Sequence, residues 1–277
     1  MNYRKIFQTL GNILNIEAVL MIFPLIVTLI YNEYDYVLSF VIPITVLLIL
    51  GILFTLKKPK KEVMYAKDGF IIVGLSWVVL SLFGCLPFVL NNVSETKLSF
   101  IDAFFEIVSG FTTTGASVIT NVDVWYEKAK GLLFWRSFSH WIGGMGVLVF
   151  FLAILPKSDG QSIFILKAES TGPQVGKLVS KIKVTARILY LIYFALTVIE
   201  IMFLTIDMPF YDAIVNSFST AGTGGFGIRS KSIGYYSTYS QIVIAVFMLF
   251  FGVNFNIYYL LIAHKAKQAL KSEELWW

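Results

Sequence analysis

Ser99-Phe100-Ile101-Asp102-Ala103-Phe104-Phe105-Glu106-Ile107-Val108-Ser109-Gly110-Phe111-Thr112-Thr113-Thr114-Gly115 decides the fold, because its plan returns later in the chain. The second copy reads Pro209-Phe210-Tyr211-Asp212-Ala213-Ile214-Val215-Asn216-Ser217-Phe218-Ser219-Thr220-Ala221-Gly222-Thr223-Gly224-Gly225. Asp102 registers on Asp212, Thr113 on Thr223 and Gly115 on Gly225, a period of 110 residues. A repeat of this kind sets the architecture before any local assignment. In each copy a short apolar segment opens on a carboxylate and closes on a turn of threonine and glycine. A helix of about 12 residues reaches about 18 Å, short of the roughly 30 Å of a hydrocarbon core. Each copy is therefore expected to enter a membrane and turn back.

Working outward, the composition calls for that membrane. Hydrophobic residues make up 57% of the 277 and charged residues 14%, with a mean hydropathy of +0.76, which leaves too little polar surface for a soluble globule. The net charge of +5 comes from short basic clusters between apolar runs. They form no stripe with interleaved aromatics, so they read as topology signals and not as a nucleic-acid surface. The single cysteine, Cys85, excludes an intrachain disulfide and a cysteine metal site, and reads as a small core residue. The start Met1-Asn2-Tyr3-Arg4-Lys5 has a basic flank, but Glu17 and the lack of a small-residue cleavage site argue for a retained segment.

Apolar spans are expected over residues 16–31 and 37–56, making a hairpin around the acidic turn Asn32-Glu33-Tyr34-Asp35. The first repeat then has a span over 69–90, the short segment to Gly115 and a span over 132–155. The second has a span over 184–206, the short segment to Gly225 and a span over 238–263. The fold class is all-α integral membrane, divided into a hairpin (1–62), a first pore repeat (63–156), and a linker with the second pore repeat (157–277). Lys57-Lys58-Pro59-Lys60-Lys61 and the basic loop 156–183 belong on the cytoplasmic side, with the N-terminus; 16 of the 22 basic residues then lie inside.

The chemistry is in the two turns. Non-helical backbone at membrane depth is costly unless it lines a cavity or is packed in protein. Turns without bulky side chains present carbonyl oxygens to whatever occupies that cavity. The preceding short helices direct their negative ends at the same point, while Asp102 and Asp212 sit at the positive ends. Field and ligands converge on a dehydrated monovalent cation. The candidate ion-binding residues are Thr112, Thr113, Thr114, Gly115, Gly222, Thr223, Gly224 and Gly225.

At these residues the chain resembles the Trk/Ktr/HKT superfamily of potassium and sodium transporters, most closely its TrkH branch. The carrying motifs are residues 110–117, Trp135-Arg136-Ser137-Phe138-Ser139-His140-Trp141-Ile142-Gly143-Gly144-Met145-Gly146, Lys167-Ala168-Glu169-Ser170-Thr171-Gly172-Pro173 and residues 218–226. The resemblance implies a potassium channel-like pore of four helix, pore helix, helix repeats, with K+ held at Thr113, Gly115, Thr223 and Gly225 and no other cofactor. It also implies uptake across the cell membrane, a homodimer, and a cytosolic nucleotide-binding regulatory subunit, for which the loop 156–183 is the expected dock. Only two of the four repeats are present. The chain is read as the N-terminal half of a longer or split product, the alternative being two copies that assemble; a non-conducting half-subunit and a Na+-permeable relative are the other readings of function.

Other features invite sharper readings. Gly222-Thr223-Gly224-Gly225-Phe226-Gly227 matches the dinucleotide-binding pattern in letters, but no strand precedes it. An enzyme is disfavoured, since two histidines and no paired acid and base within the spans leave little proton-transfer capacity. Gly143, Gly144 and Gly146 read as close helix packing, with a hinge the alternative. His140 and His264 read as interfacial. Glu106 either raises cation concentration or hydrogen-bonds behind the turn. Glu200 reads as a paired or snorkelling residue, with a transport role the alternative. Arg136 is expected to pair with a loop carboxylate such as Asp123 or Glu127.

Overall fold

The computed structural model describes residues 2–56, 66–144, 146, 182–262 and 266–270, and among them every regular element is helical. The basic cluster 57–61, residues 156–181 of the loop with its Lys167 to Pro173 motif, the far part of the span to 155, and His264 lie outside the described residues; residues 182 and 183 already belong to the helix that begins at Ile182.

The first helix starts much earlier than hydropathy predicts. α1 runs Tyr3–Leu20 and α2 runs Ile22–Ile30, continuous through Met21. Asn2 caps it by accepting from the Lys5 amide at 3.2 Å. Arg4, Lys5, Gln8 and Asn15 depress the hydropathy of this segment, yet Ile6, Leu10, Ile13, Leu14 and Glu17 are buried at the spacing of one helical face. That stripe was the signal available in the sequence. α3 (Val37–Leu56) returns antiparallel against α1, and the crossing is close. A Cβ on Gly11 would stand 2.9 Å from the Gly51 carbonyl oxygen, and one on Gly51 would stand 2.9 Å from the Gly11 carbonyl oxygen, the close approach that small residues permit between membrane helices.

The first repeat contains α4 (Ala66–Gly84), α5 (Leu86–Leu90), α6 (Phe100–Phe111), α7 (Val122–Lys128) and α8 (Lys130–Gly144). The break at Cys85 precedes Pro87, and Cys85 is fully buried there as expected. α7, in what reads as a plain loop, is capped by Asn121. The second repeat contains α9 (Ile182–Leu204), α10 (Phe210–Ala221), α11 (Thr238–Gly252) and α12 (Phe255–Ile262), followed by α13 (Ala266–Ala269). The span expected over 238–263 is interrupted at Val253 and Asn254.

Among the described residues four helical stretches, Tyr3–Ile30, Tyr34–Leu56, Lys67–Leu90 and Arg187–Leu204, are long and apolar enough to cross a membrane. Their outer faces carry exposed Phe23, Ile30, Ile49, Leu53, Phe70 and Leu191, a belt suited to lipid. α8 lies at the centre, touching α2, α6, α7 and α10. Its start is fixed by the hairpin turn: the Glu33 carboxylate accepts from the Lys130 and Gly131 amides at 2.7 and 3.0 Å, satisfying two of the orphan donors of a helix N-terminus. Burial raises the Glu33 carboxyl above its ordinary range, and these two amides oppose that rise. One continuous core joins the hairpin and first repeat and reaches Tyr211, Val215 and Ile228 of the second. Two smaller clusters, around Tyr193 and Leu204, serve the second repeat.

Candidate ion-binding site

α6 and α10 are both 12 residues long and carry their aspartate at the third position. Ser99 caps α6, accepting from the Asp102 amide at 3.2 Å and donating to its carboxylate at 2.6 Å. Asp102 is exposed, whereas Asp212 is buried and accepts the Tyr126 and Tyr236 hydroxyls, each at 2.8 Å. Partial burial and, after it, the neighbouring Asp212 carboxylate push both phenols well above their ordinary range, so they remain donors.

The turns that follow share two backbone bonds, and the second adds a longer one from Gly225 N–H to the Ser219 carbonyl at 3.4 Å. Thr113 N–H reaches the Gly110 carbonyl and Thr223 N–H the Thr220 carbonyl; Thr114 N–H reaches Ser109 and Gly224 N–H reaches Ser219. Thr113 and Thr223 have φ of 55° and 53°, and Gly115 and Gly225 have 75° and 79°. A threonine in the left-handed region is uncommon, since its β-branch is crowded there. Strain of this kind collects at functional sites, and here it occurs twice in the same register. The two turns also meet: a Cβ on Gly115 would collide with the Gly224 carbonyl oxygen, while one on Gly225 would meet open space. Thr112, Thr114, Thr223 and Gly225 are exposed, and Gly222 is buried against the His140 backbone. A cavity of about 220 Å³ opens beside them, lined by Gly115, Ser117, Arg136, Gly225, Phe226 and Arg229.

Behind the turns the structure corrects three sequence readings. Arg136 pairs with Glu106 at 2.5 Å, both side chains almost wholly buried, and not with Asp123, which is 3.9 Å from Arg229, or Glu127. Of the two readings of Glu106, the hydrogen-bonding one holds, with Ser117 Oγ and the Val118 amide donating to it at 2.9 Å each. His140 is no interfacial residue. Its ring is fully buried, 4.0 Å from that of Phe226 and directly behind Gly224. Glu200 does not snorkel; it is fully buried on α9, facing Thr220 of α10. The packing reading of the α8 glycines fits Gly143 and Gly144, which back onto the Phe111 carbonyl and the Gly222 α-carbon.

A family model described as "Cation transport protein", TrkH, matches residues 38–275. The chain belongs to the TrkH family. It is 38% identical over 264 residues to the Trk system potassium uptake protein TrkH of Vibrio parahaemolyticus, covering 94% of this chain and 53% of that one. It is 34% identical over 270 residues to TrkH of Escherichia coli K12, covering 96% and 55%. The crystal structure of the potassium transporter TrkH from Vibrio parahaemolyticus superposes with a TM-score of 0.79 at 35% identity, over 95% of this chain and 53% of the other. The chain thus spans about half the length of the relatives it matches, and it is a multi-pass, helical membrane protein of a cation transporter family.

Proposed function

We propose that this chain contributes two of the four filter turns of a potassium uptake pore in the cell membrane. The observation that carries the reading is the twofold recurrence of the left-handed pair, Thr113 with Gly115 and Thr223 with Gly225, at the ends of two short helices. In this reading α6 and α10 are re-entrant pore helices. The carbonyls of Thr112 to Gly115 and Gly222 to Gly225 replace part of the hydration shell of K+, with the ion nearest Thr113, Gly115, Thr223 and Gly225. Asp102 and Asp212 occupy the positive ends of the pore helices. K+ is the cargo and no resident cofactor is needed; Na+ is the alternative cargo.

Two turns leave the ring half built, and the half-length match to the Trk relatives supports completion by two further repeats. The remaining assignments follow the same reading. Residues 1–62 form a hairpin outside the pore, 63–156 the first repeat and 157–277 the linker and second repeat. The N-terminus and residues 156–183 face the cytoplasm, where that loop docks a nucleotide-binding regulatory subunit, and the complete pore pairs as a homodimer.

The test is potassium flux into vesicles holding the chain alone, or the chain together with the missing repeats. Flux in the second case only is expected. Equal, ion-unselective leakage in both would sink the pore reading, and no flux in either would favour a non-conducting subunit.

A further inference from the structure

Glu106 and Arg136 are the one ion pair among the described residues with both side chains buried, and they connect more than each other. Glu106 lies on α6, in the helix preceding the first turn. Its carboxylate takes the Ser117 hydroxyl and the Val118 amide, which lie just after that turn. Arg136, on α8, gives its Nε to Glu106 and an Nη to the Gly227 carbonyl at 3.0 Å, and its guanidinium lies 3.5 Å over the Phe226 ring. Phe226 and Gly227 are the residues that leave the second turn. The chain segments emerging from the two turns are therefore joined by one strut: Ser117 and Val118, Glu106, Arg136, Gly227.

We infer that Glu106 and Arg136 are positioning residues that set the spacing of the two turns, and through it the ion preference, an inference that rests on the filter reading above. A buried ion pair contributes little net stability, since desolvation offsets its attraction and apolar replacements of similar volume are often neutral. What such a pair supplies is geometry. Arginine suits the role because its planar fork can hold a carboxylate and a carbonyl at once while stacking on a ring, which the single ammonium of lysine cannot do. The direct contact between Gly115 and the Gly224 carbonyl means that any change in that spacing is felt within the turns. The second repeat has no copy of the device: Asn216 stands where Glu106 does and gives its amide to the Asp212 carbonyl of its own helix. The single strut must serve both turns.

The experiment compares K+ and Na+ uptake, side by side, in the complete transport assembly. Arg136→Met alone strands a buried carboxylate and is expected to lower membrane abundance. Adding Glu106→Gln removes that charge while leaving an acceptor for Val118. The double variant is expected to recover abundance and unfolding temperature, but with the K+ to Na+ ratio still reduced about tenfold or more, the scale of one lost charge-assisted hydrogen bond. Arg136→Lys, which keeps the charge pair, should fold normally and show a smaller reduction; it decides the matter if the double variant fails to reach the membrane. A purely structural pair would regain the wild-type ratio together with the abundance, and a wild-type ratio in the folded variants overturns the inference. Gly115→Ser in the same assay separates the layers. If it shifts the ratio and the strut variants do not, the strut is wrong and the filter stands; if it does not shift the ratio, the filter reading itself has failed.

Discussion

The two repeats hold the same backbone by different means. In the first turn a buried carboxylate stands behind the loop, Glu106 at the seventh position of its helix, and the aspartate at the third position is exposed. In the second the seventh position is Asn216, bonded within its own helix, and the buried acid is Asp212, held by hydroxyls from Tyr126 of the first repeat and Tyr236 of its own. Each of the two short helices thus buries one carboxylate, at the seventh position in α6 and at the third in α10. The φ angles of Thr113 and Thr223, and of Gly115 and Gly225, agree to within a few degrees; the supports of the two turns do not. The shape of the turns is what the repetition preserves, and the surrounding hydrogen bonds are free to differ.

The comparison can be broken most decisively at the two glycines. Gly115→Ser combines left-handed strain, about 1–2 kcal/mol for a residue with a Cβ, with a collision against the Gly224 carbonyl. Its K+ to Na+ uptake ratio should fall about tenfold or more, since each 1.4 kcal/mol is a factor of ten. Gly225→Ser carries the strain without the collision and should lower the ratio only a few-fold in the same measurement. Equal effects would mean that contact between the turns is irrelevant. Gly143→Ser is no neutral control, because Gly143 backs onto the Phe111 carbonyl at the very end of α6. Gly51→Ala in the hairpin serves better, and should reduce abundance with the ion preference unchanged.

The aspartates give the smaller contrast. Asp212→Asn weakens two charge-assisted hydrogen bonds in a buried site and should cost roughly 1–2 kcal/mol, read as a lower unfolding temperature in detergent. Asp102→Asn, exposed beside Ser99, should stay within about 0.5 kcal/mol of wild type. If both changes were equally costly, the asymmetry between the repeats would not be energetic.

The sequence alone determined the membrane setting, the 110-residue repeat, the short helices and the two turns, because each is written in local composition or in the spacing of one segment. Gly115 and Gly225 were legible for that reason: a conformation that favours glycine leaves its mark where it occurs, whereas the left-handed backbone of Thr113 and Thr223 leaves none. α1 was half legible, its buried stripe being present but masked by polar neighbours in a hydropathy reading. The supports were decided by tertiary structure. Arg136 reaches Glu106 across 30 residues and Gly227 across 91, and Tyr126 reaches Asp212 across 86. His140 gives no sign in the sequence that it stands behind Gly224. A side chain's partner is fixed by where two helices cross, and the energy of any single polar contact is too small to impose a local pattern on the chain. The packing of α8 against both α6 and α10 is what brought these groups together.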